Sequence, residues 1–268
     1  KMKNKIKKTL ILPLLLINII INSQQIQAKP TESTPEKVNK TPFSSLQMPE
    51  LPDAGEPVGR RKGGAGRPEC PAALTNLTAI VPGKEGKSFL TSTTSEHTTF
   101  WVYLPQVPNS VKYGEFILQE VSKNSKEDNV EIDIFRQQLT LPTQSGFIGI
   151  SLPKLPQYAL KKGMNYHWYF KVFCVNPQKT PNYFYVDAFI KRVSKTPELT
   201  SQLEKQPNNY KVYAANQHWV DTLHNLAQLH RQNPDNAIIQ RDWIELLKVI
   251  DLGNIARTPI VEYYEFKQ

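Results

Sequence analysis

The chain has 268 residues, with 33 Lys/Arg against 24 Asp/Glu, and two cysteines. Its charge of +9 falls to +4 once the five lysines of the first eight residues are set aside; residues 29–68 hold seven Lys/Arg and five Asp/Glu, so residues 69–268 carry only +2. That near-neutral balance argues against a nucleic-acid partner.

Lys1 to Lys8 holds five lysines and no acid, and Thr9 to Ile21 is an apolar run broken by Pro13 and Asn18. A polar stretch ending at Ala28 follows. These are the three regions of a secretory signal peptide, expected over residues 1–28, with an uncleaved anchor as the alternative. The apolar run is shorter than a membrane span needs. No cysteine follows it and no Arg pair precedes it, which argues against a lipid anchor and twin-Arg export. Export to the periplasm or the exterior is the expectation, with no membrane span after cleavage.

Residues 29–68 are rich in Pro, Glu, Ser, Thr and Lys and read as a disordered linker. The cluster Arg60-Arg61-Lys62-Gly-Gly-Ala-Gly-Arg67 reads as a flexible, solvated part of it, contact with an anionic surface being the alternative. In an exported chain, Cys70 and Cys174 are expected to form a disulfide, with two buried thiols as the alternative. No spacing of Cys or His offers a metal site, and no cofactor is expected.

Residues 69–195 read as strands. They are expected at Leu74–Val81, Thr98–Leu104, Gly114–Val121, Val130–Ile134 with an extension or bend into Gln137–Leu141, Phe147–Leu152, Tyr166–Cys174 and Phe184–Val193. Alternation places Tyr166, Trp168, Phe170, Val172 and Cys174 inward, and His167, Tyr169, Lys171 and Phe173 outward. Val130, Ile132 and Ile134 are likewise expected to face the core. After Pro197 the period becomes helical, with a short helix over Pro197–Lys205. A longer one over Tyr210–His230 has the stripe Val212, Ala215, Trp219, Leu223 and Leu226, and another is marked by Ile239, Trp243, Leu246 and Ile250. The fold class is therefore α+β: an immunoglobulin-like antiparallel β-sandwich, then a C-terminal α-helical hairpin over residues 196–268 that packs on it.

Catalytic motifs are missing from the sequence. Gly83-Lys-Glu-Gly86-Lys87-Ser88 resembles the end of a phosphate loop but has Val81 where the pattern needs Gly, so it reads as a hairpin turn. There is no Gly-x-Ser-x-Gly and no His-Glu-x-x-His. His218, His224 and His230 are six residues apart and cannot share one metal from one helix. Glu131 and Asp133 share a strand face, which reads as solvated rather than as a glycosidase pair. The surplus is aromatic. Trp101, Tyr103, Tyr169 and Phe173 form the candidate binding surface, unless the C-terminal helices cover it.

The runs Arg60–Arg67 with Cys70, Leu77-Thr-Ala-Ile-Val-Pro82, Thr99-Phe-Trp-Val-Tyr-Leu-Pro105, Tyr166–Cys174, Tyr213-Ala-Ala-Asn with Trp219 and Leu223, Trp243 with Leu246-Leu247, and Pro259-Ile-Val261 resemble a known family. It is the cyanobacterial domain-of-unknown-function family numbered 928, and the likeness spans about residues 60–262. One departure is Asp187-Ala-Phe189-Ile, where the pattern has Gly-Trp before the Ile. The resemblance implies a cyanobacterial exported protein and transfers no catalytic residue. A non-catalytic envelope protein that binds a protein or surface partner is expected. Carbohydrate binding through the aromatics is the alternative. A hydrolase would require His167 or His97 to be gathered with acids distant in sequence.

Overall fold

The computed structural model describes residues 43, 58–64, 70–123, 126, 128–174 and 182–266. The expected signal peptide (1–28) and nearly all of the 29–68 linker lie outside the described residues.

The described chain starts with β1 (Gly59–Arg60), a 3-10 turn over Ala72–Asn76, and β2 (Thr78–Ala79). The strand expected over Leu74–Val81 is thus mostly a turn that buries Leu74. The phosphate-loop lookalike is a hairpin, β3 (Gly83–Lys84) and β4 (Lys87–Ser88), turning at Glu85 and Gly86 with φ of 53° and 80°. Then come β5 (Thr91–Thr93), β6 (Thr99–Leu104), β7 (Tyr113–Lys123), β8 (Asn129–Thr140), β9 (Gly146–Ser151), β10 (Asn165–Phe173) and β11 (Tyr183–Arg192). Helices α1 (Pro197–Lys205), α2 (Tyr210–Ala215), α3 (Trp219–Gln232) and α4 (Ala237–Val249) precede a last strand, β12 (Ile260–Glu265).

Three sheets result, in the orders β1-β4-β3, β5-β11-β10-β7-β8 and β12-β9-β6-β2. The fold is α+β and mostly sheet. The five- and four-stranded sheets meet through the inward residues of β6, β7 and β10. Phe100 lies 4.9 Å from Phe116 and 5.4 Å from Trp168 between ring centroids. Tyr166, Phe170 and Val172 are fully buried beside them, and Phe184, Val186, Ala188 and Ile190 of β11 extend the same layer. Each such side chain contributes about 1.5–3 kcal/mol on burial. Pairing is not wholly antiparallel: β5 runs parallel to β11, and β12 runs parallel to β9.

Strand β8 departs from the expected alternation. Its pairing with β7 slips between Leu118 and Gln119, where Ile134 is the extra residue of a bulge. Beyond the bulge Phe135 and Leu139 are buried; before it Val130 and Ile132 are exposed, opposite Ser122 and Glu120. The core therefore takes Phe135 and Leu139 rather than Val130 and Ile132.

The helix expected over Tyr210–His230 is broken into α2 and α3 at Asn216–His218, where Gln217 has φ 62°. The break rotates the stripe, so Tyr213 and Ala214 are buried and Ala215 is exposed. Helix α1 starts as its sequence indicates, with Thr196 accepting a hydrogen bond from the Leu199 N–H at 3.1 Å and Pro197 at the first turn. Helix α4 brings Trp243 edge-on to Phe147 of β9 at 5.2 Å, and Trp101 on the neighbouring strand packs 5.9 Å from Tyr263 of β12. Gly149 makes this possible: a Cβ there would sit 2.6 Å from Tyr263 and 2.9 Å from Trp101.

Within the basic cluster, Arg61 is packed into the fold rather than solvated. Arg61 is buried and donates to the carbonyls of Gly83 (3.2 Å) and Ile250, the latter at the end of α4. Burial pulls its guanidinium down to about 10, with Asp251 opposing. Upstream, Phe43 is buried and its ring stacks 6.2 Å from Tyr210. The cysteines form the expected disulfide, Cys70–Cys174, with a Cα separation of 5.0 Å. No helix among the described residues is long and apolar enough to cross a membrane.

Two predictions follow from this packing. The bond spans 104 residues of sequence, so a Cys70→Ser, Cys174→Ser double variant is expected to lose about 3–5 kcal/mol in denaturant unfolding, and wild type in excess reductant to match it. Burial holds His224 down to about 4, with Lys154 adding to the effect. An unfolded His titrates near ~6.5, so stability from this residue is fully present above that pH and lost as pH falls toward 4. Denaturant curves at several pH values in that window should show His224→Gln losing less stability on acidification, by up to about 3 kcal/mol.

Candidate functional site

The outward residues of β10 and β11 lie on the side of the five-stranded sheet that faces away from the core. Register places Phe173 beside Tyr183, Lys171 beside Tyr185, Tyr169 beside Asp187, and His167 beside Phe189. Across β7 the same rows continue into Glu115, Gln119 and the acids of β8.

At one end of this face His167 is held between two carboxylates. Its Nδ1 lies 2.8 Å from Glu131 Oε1 and its Nε2 2.7 Å from Asp187 Oδ2. Phe189 stacks on the imidazole at 3.8 Å between centroids. The Tyr169 hydroxyl sits 2.9 Å from His167 Nδ1 and donates to Glu131 Oε2 at 3.3 Å. Burial, with Glu131 and Asp187 adding, pushes the Tyr169 phenol up, so it stays a neutral donor. His167 and Asp187 are buried, although both point outward. The small sheet walls them in: Ser88 Oγ donates to the Asp187 carbonyl at 3.0 Å, and a Cβ on Gly59 would meet Asp187 Oδ2 at 2.6 Å. A glycine is required there for β1 to approach.

Toward the other end, aromatic rings continue the face. Tyr169 and Tyr185 are 6.2 Å apart, Tyr185 and Tyr183 6.1 Å, and Tyr183 and Phe173 5.7 Å. All four are half-buried. Two cations lie over them: Arg60 is 4.6 Å from the Tyr185 ring and Lys171 5.0 Å from the Tyr183 ring. Lys171 is also 3.6 Å from Glu115, which pairs at 2.9 Å with Arg136; Arg136 in turn holds Asp133 at 2.7 Å. Although burial opposes it, hydrogen bonds from Gln119 and Arg136 keep the Asp133 carboxyl below its usual range.

The four residues of the expected binding surface are therefore divided. Tyr169 and Phe173 belong to this face. Trp101 and Tyr103 point outward from β6 in the other sheet, so the two pairs face opposite ways. Trp101 is 2% exposed beneath Tyr263, and Tyr103 is half-buried edge-on to Phe147 at 5.8 Å. Trp101 is thus a packing residue, covered by Tyr263 of strand β12 rather than by the C-terminal helices. The sequence reading missed Asp187 and Glu131 as partners of His167. Outward parity on three strands was the available signal, but it becomes a cluster only once the order β11-β10-β7-β8 is known. The histidine gathered with distant acids that a hydrolase would require is present, but each ring nitrogen already faces a carboxylate.

No curated protein matches the chain. Among solved structures, a glycoside hydrolase family 61 member, Cel61B from Hypocrea jecorina, is similar at 10% identity with a TM-score of 0.21. The overlap covers 44% of this chain and 59% of that one, so the chain spans less than two thirds of that protein's length; it carries no argument about activity. A family model matches residues 61–260, including β10, β11 and the face they carry, and the chain belongs to the family described as Domain of Unknown Function (DUF928).

Proposed function

We propose that this is an exported, non-catalytic binding protein of the cell envelope, with the outer face of β10 and β11 as its ligand surface. The carrying observation is the row of half-buried rings, Tyr169, Tyr185, Tyr183 and Phe173, with Arg60 and Lys171 seated over it. Rigid aromatics with polar tips and stacked cations supply contact area at low entropic cost, the composition that interfaces favour. The charge ladder Lys171–Glu115–Arg136–Asp133 gives one side of the surface a fixed pattern to match.

Export is supported by the signal-like leader and by the Cys70–Cys174 bond, which suits an oxidising compartment. We read the two facing sheets as an immunoglobulin-like sandwich, and α3 with α4 as a helical hairpin that covers the opposite side. A protein partner is the first reading. Carbohydrate binding on the same rings is the second, favoured by their spacing in a row. Hydrolysis at His167 has less support, since Glu131 and Asp187 occupy both its nitrogens.

The test is a pair of full-chain baits, wild type and Tyr169→Ala/Tyr183→Ala, presented to envelope extract and to a neutral glycan array. One protein retained by wild type and reduced at least about tenfold with the variant supports the first reading. Glycan hits lost in the variant would move the assignment to the second. Equal retention by both baits, with matching thermal melts, overturns the assignment of this face.

A further inference from the structure

The small sheet β1-β4-β3 brings together two features of the sequence: the basic cluster that begins at Arg60 and the hairpin that resembles a phosphate loop. Register puts Gly59, Ser88 and Gly83 in one cross-strand row and Arg60, Lys87 and Lys84 in the next. The first row is buried, with the Ser88 hydroxyl donating to the Asp187 carbonyl of β11. The second row is exposed. Three cations therefore stand directly opposite one another on one face of a three-stranded sheet.

That arrangement works against the fold. Like charges directly opposite on neighbouring strands are destabilising. Strands lie about 4.8 Å apart, so the row spans about 10 Å. Among the described residues none of the three cations has a carboxylate within ion-pair distance, Glu85 at the turn of the same hairpin included. Arg60 carries the row onto the outer face of β11. Its guanidinium lies 4.6 Å over the Tyr185 ring and against Gly64, where a Cβ would collide with it. The row of cations and the row of rings thus meet at Tyr185.

We propose that Arg60, Lys87 and Lys84 receive the carboxylates of an acidic, extended segment of the protein partner, whose adjoining apolar residues lie on the tyrosine rings. The proposal rests on the protein-partner reading of the outer face. Carboxylates relieve the repulsion within the row, and a guanidinium held flat on a ring presents its fork to a carboxylate with little freedom left to lose. Side chains on one face of an extended segment repeat every ~6.7 Å, so two successive carboxylates fit within the row. A sugar chain fits less well, because Arg60 and Lys171 already lie over the Tyr185 and Tyr183 rings on which it would stack. A lipid surface fits less well, because the four rings are half-buried side by side and none projects for insertion.

The experiment is calorimetric titration of the full chain with a peptide of alternating Glu and Thr that ends in Val-Leu-Val, its Gln-for-Glu counterpart, inorganic phosphate, and vesicles of phosphatidylglycerol with phosphatidylcholine. The acidic peptide is expected to bind, and to weaken at least about tenfold on moving from about 0.05 M to about 0.5 M salt. A Lys84→Gln/Lys87→Gln variant is expected to lose at least about tenfold in affinity while its melt stays level or rises, because the opposed charges are gone. Arg60→Lys, which keeps the charge and loses the flat fork, is expected to weaken binding at least about threefold. Peptide binding that falls in the lysine variant but survives Tyr169→Ala/Tyr183→Ala leaves the row of cations standing without the ring surface; the reverse leaves the ring surface standing and overturns the row. Equal binding of the Gln peptide, tighter binding to the vesicles, full competition by phosphate, or a melt that falls when the lysines are removed would each overturn the proposal as well.

Discussion

The pleat of β10 is the constraint from which the rest of the molecule follows. Successive strand residues must point to opposite faces, and these nine residues put Tyr166, Trp168, Phe170 and Val172 on one face and His167, Tyr169, Lys171 and Phe173 on the other. The first set meets Phe100 and Phe116 and closes the core. The second set then has no choice of side. A slip of one register would exchange the two sets, placing Lys171 among the aromatics and Trp168 in water. Fold and candidate surface are therefore specified by the same residues.

The two outer faces of the paired sheets are finished differently. That of β6 and β9 is capped: Trp243 closes on Phe147 and Tyr263 on Trp101. Among the described residues, that of β10 and β11 receives the short β1–β4 ribbon, which shelters Asp187 and leaves the row of rings half-buried. Buried His167 lies within hydrogen-bond distance of the two carboxylates that flank it and ties β10 to β8 and β11 at this end of the face. Its role in this arrangement is to hold the end of the surface in shape. The rings that project from the surface are the groups placed to touch a partner.

What could be read from the sequence was what repeats at short range. Alternation along β10 and β11 gave their core-facing sets, though His167, Asp187 and Phe189 on the other face are buried as well; Thr196-Pro197 marked the start of α1, and the two cysteines found each other. Three features depended on contacts distant along the chain. The bulge at Ile134 changed the parity of β8, which no periodicity within Val130–Ile134 could announce. Strand β12 is half-buried on nearly every residue, so it shows no alternation to detect. Arg61 looked like one more linker charge, because the carbonyl of Ile250 that it reaches is 189 positions away. The candidate site was legible in the same proportion. Tyr169 and Phe173 follow from parity, but the Glu131–His167–Asp187 group requires three strands to be placed side by side first.

The way β1 and Cys70 are fastened has a mechanical meaning. Tension applied at Gly59 would enter at β1 and Arg61, which lean on the hairpin turn and on the end of α4. Those attachments can yield one hydrogen bond at a time. Further along the chain is Cys70, joined covalently to the residue just past the central strand. A pull at Gly59 can strip β1, but the load is then shunted into β10, which is hydrogen-bonded on both sides to β7 and β11. The described sheet is then loaded through a strand paired on both sides rather than peeled from an edge.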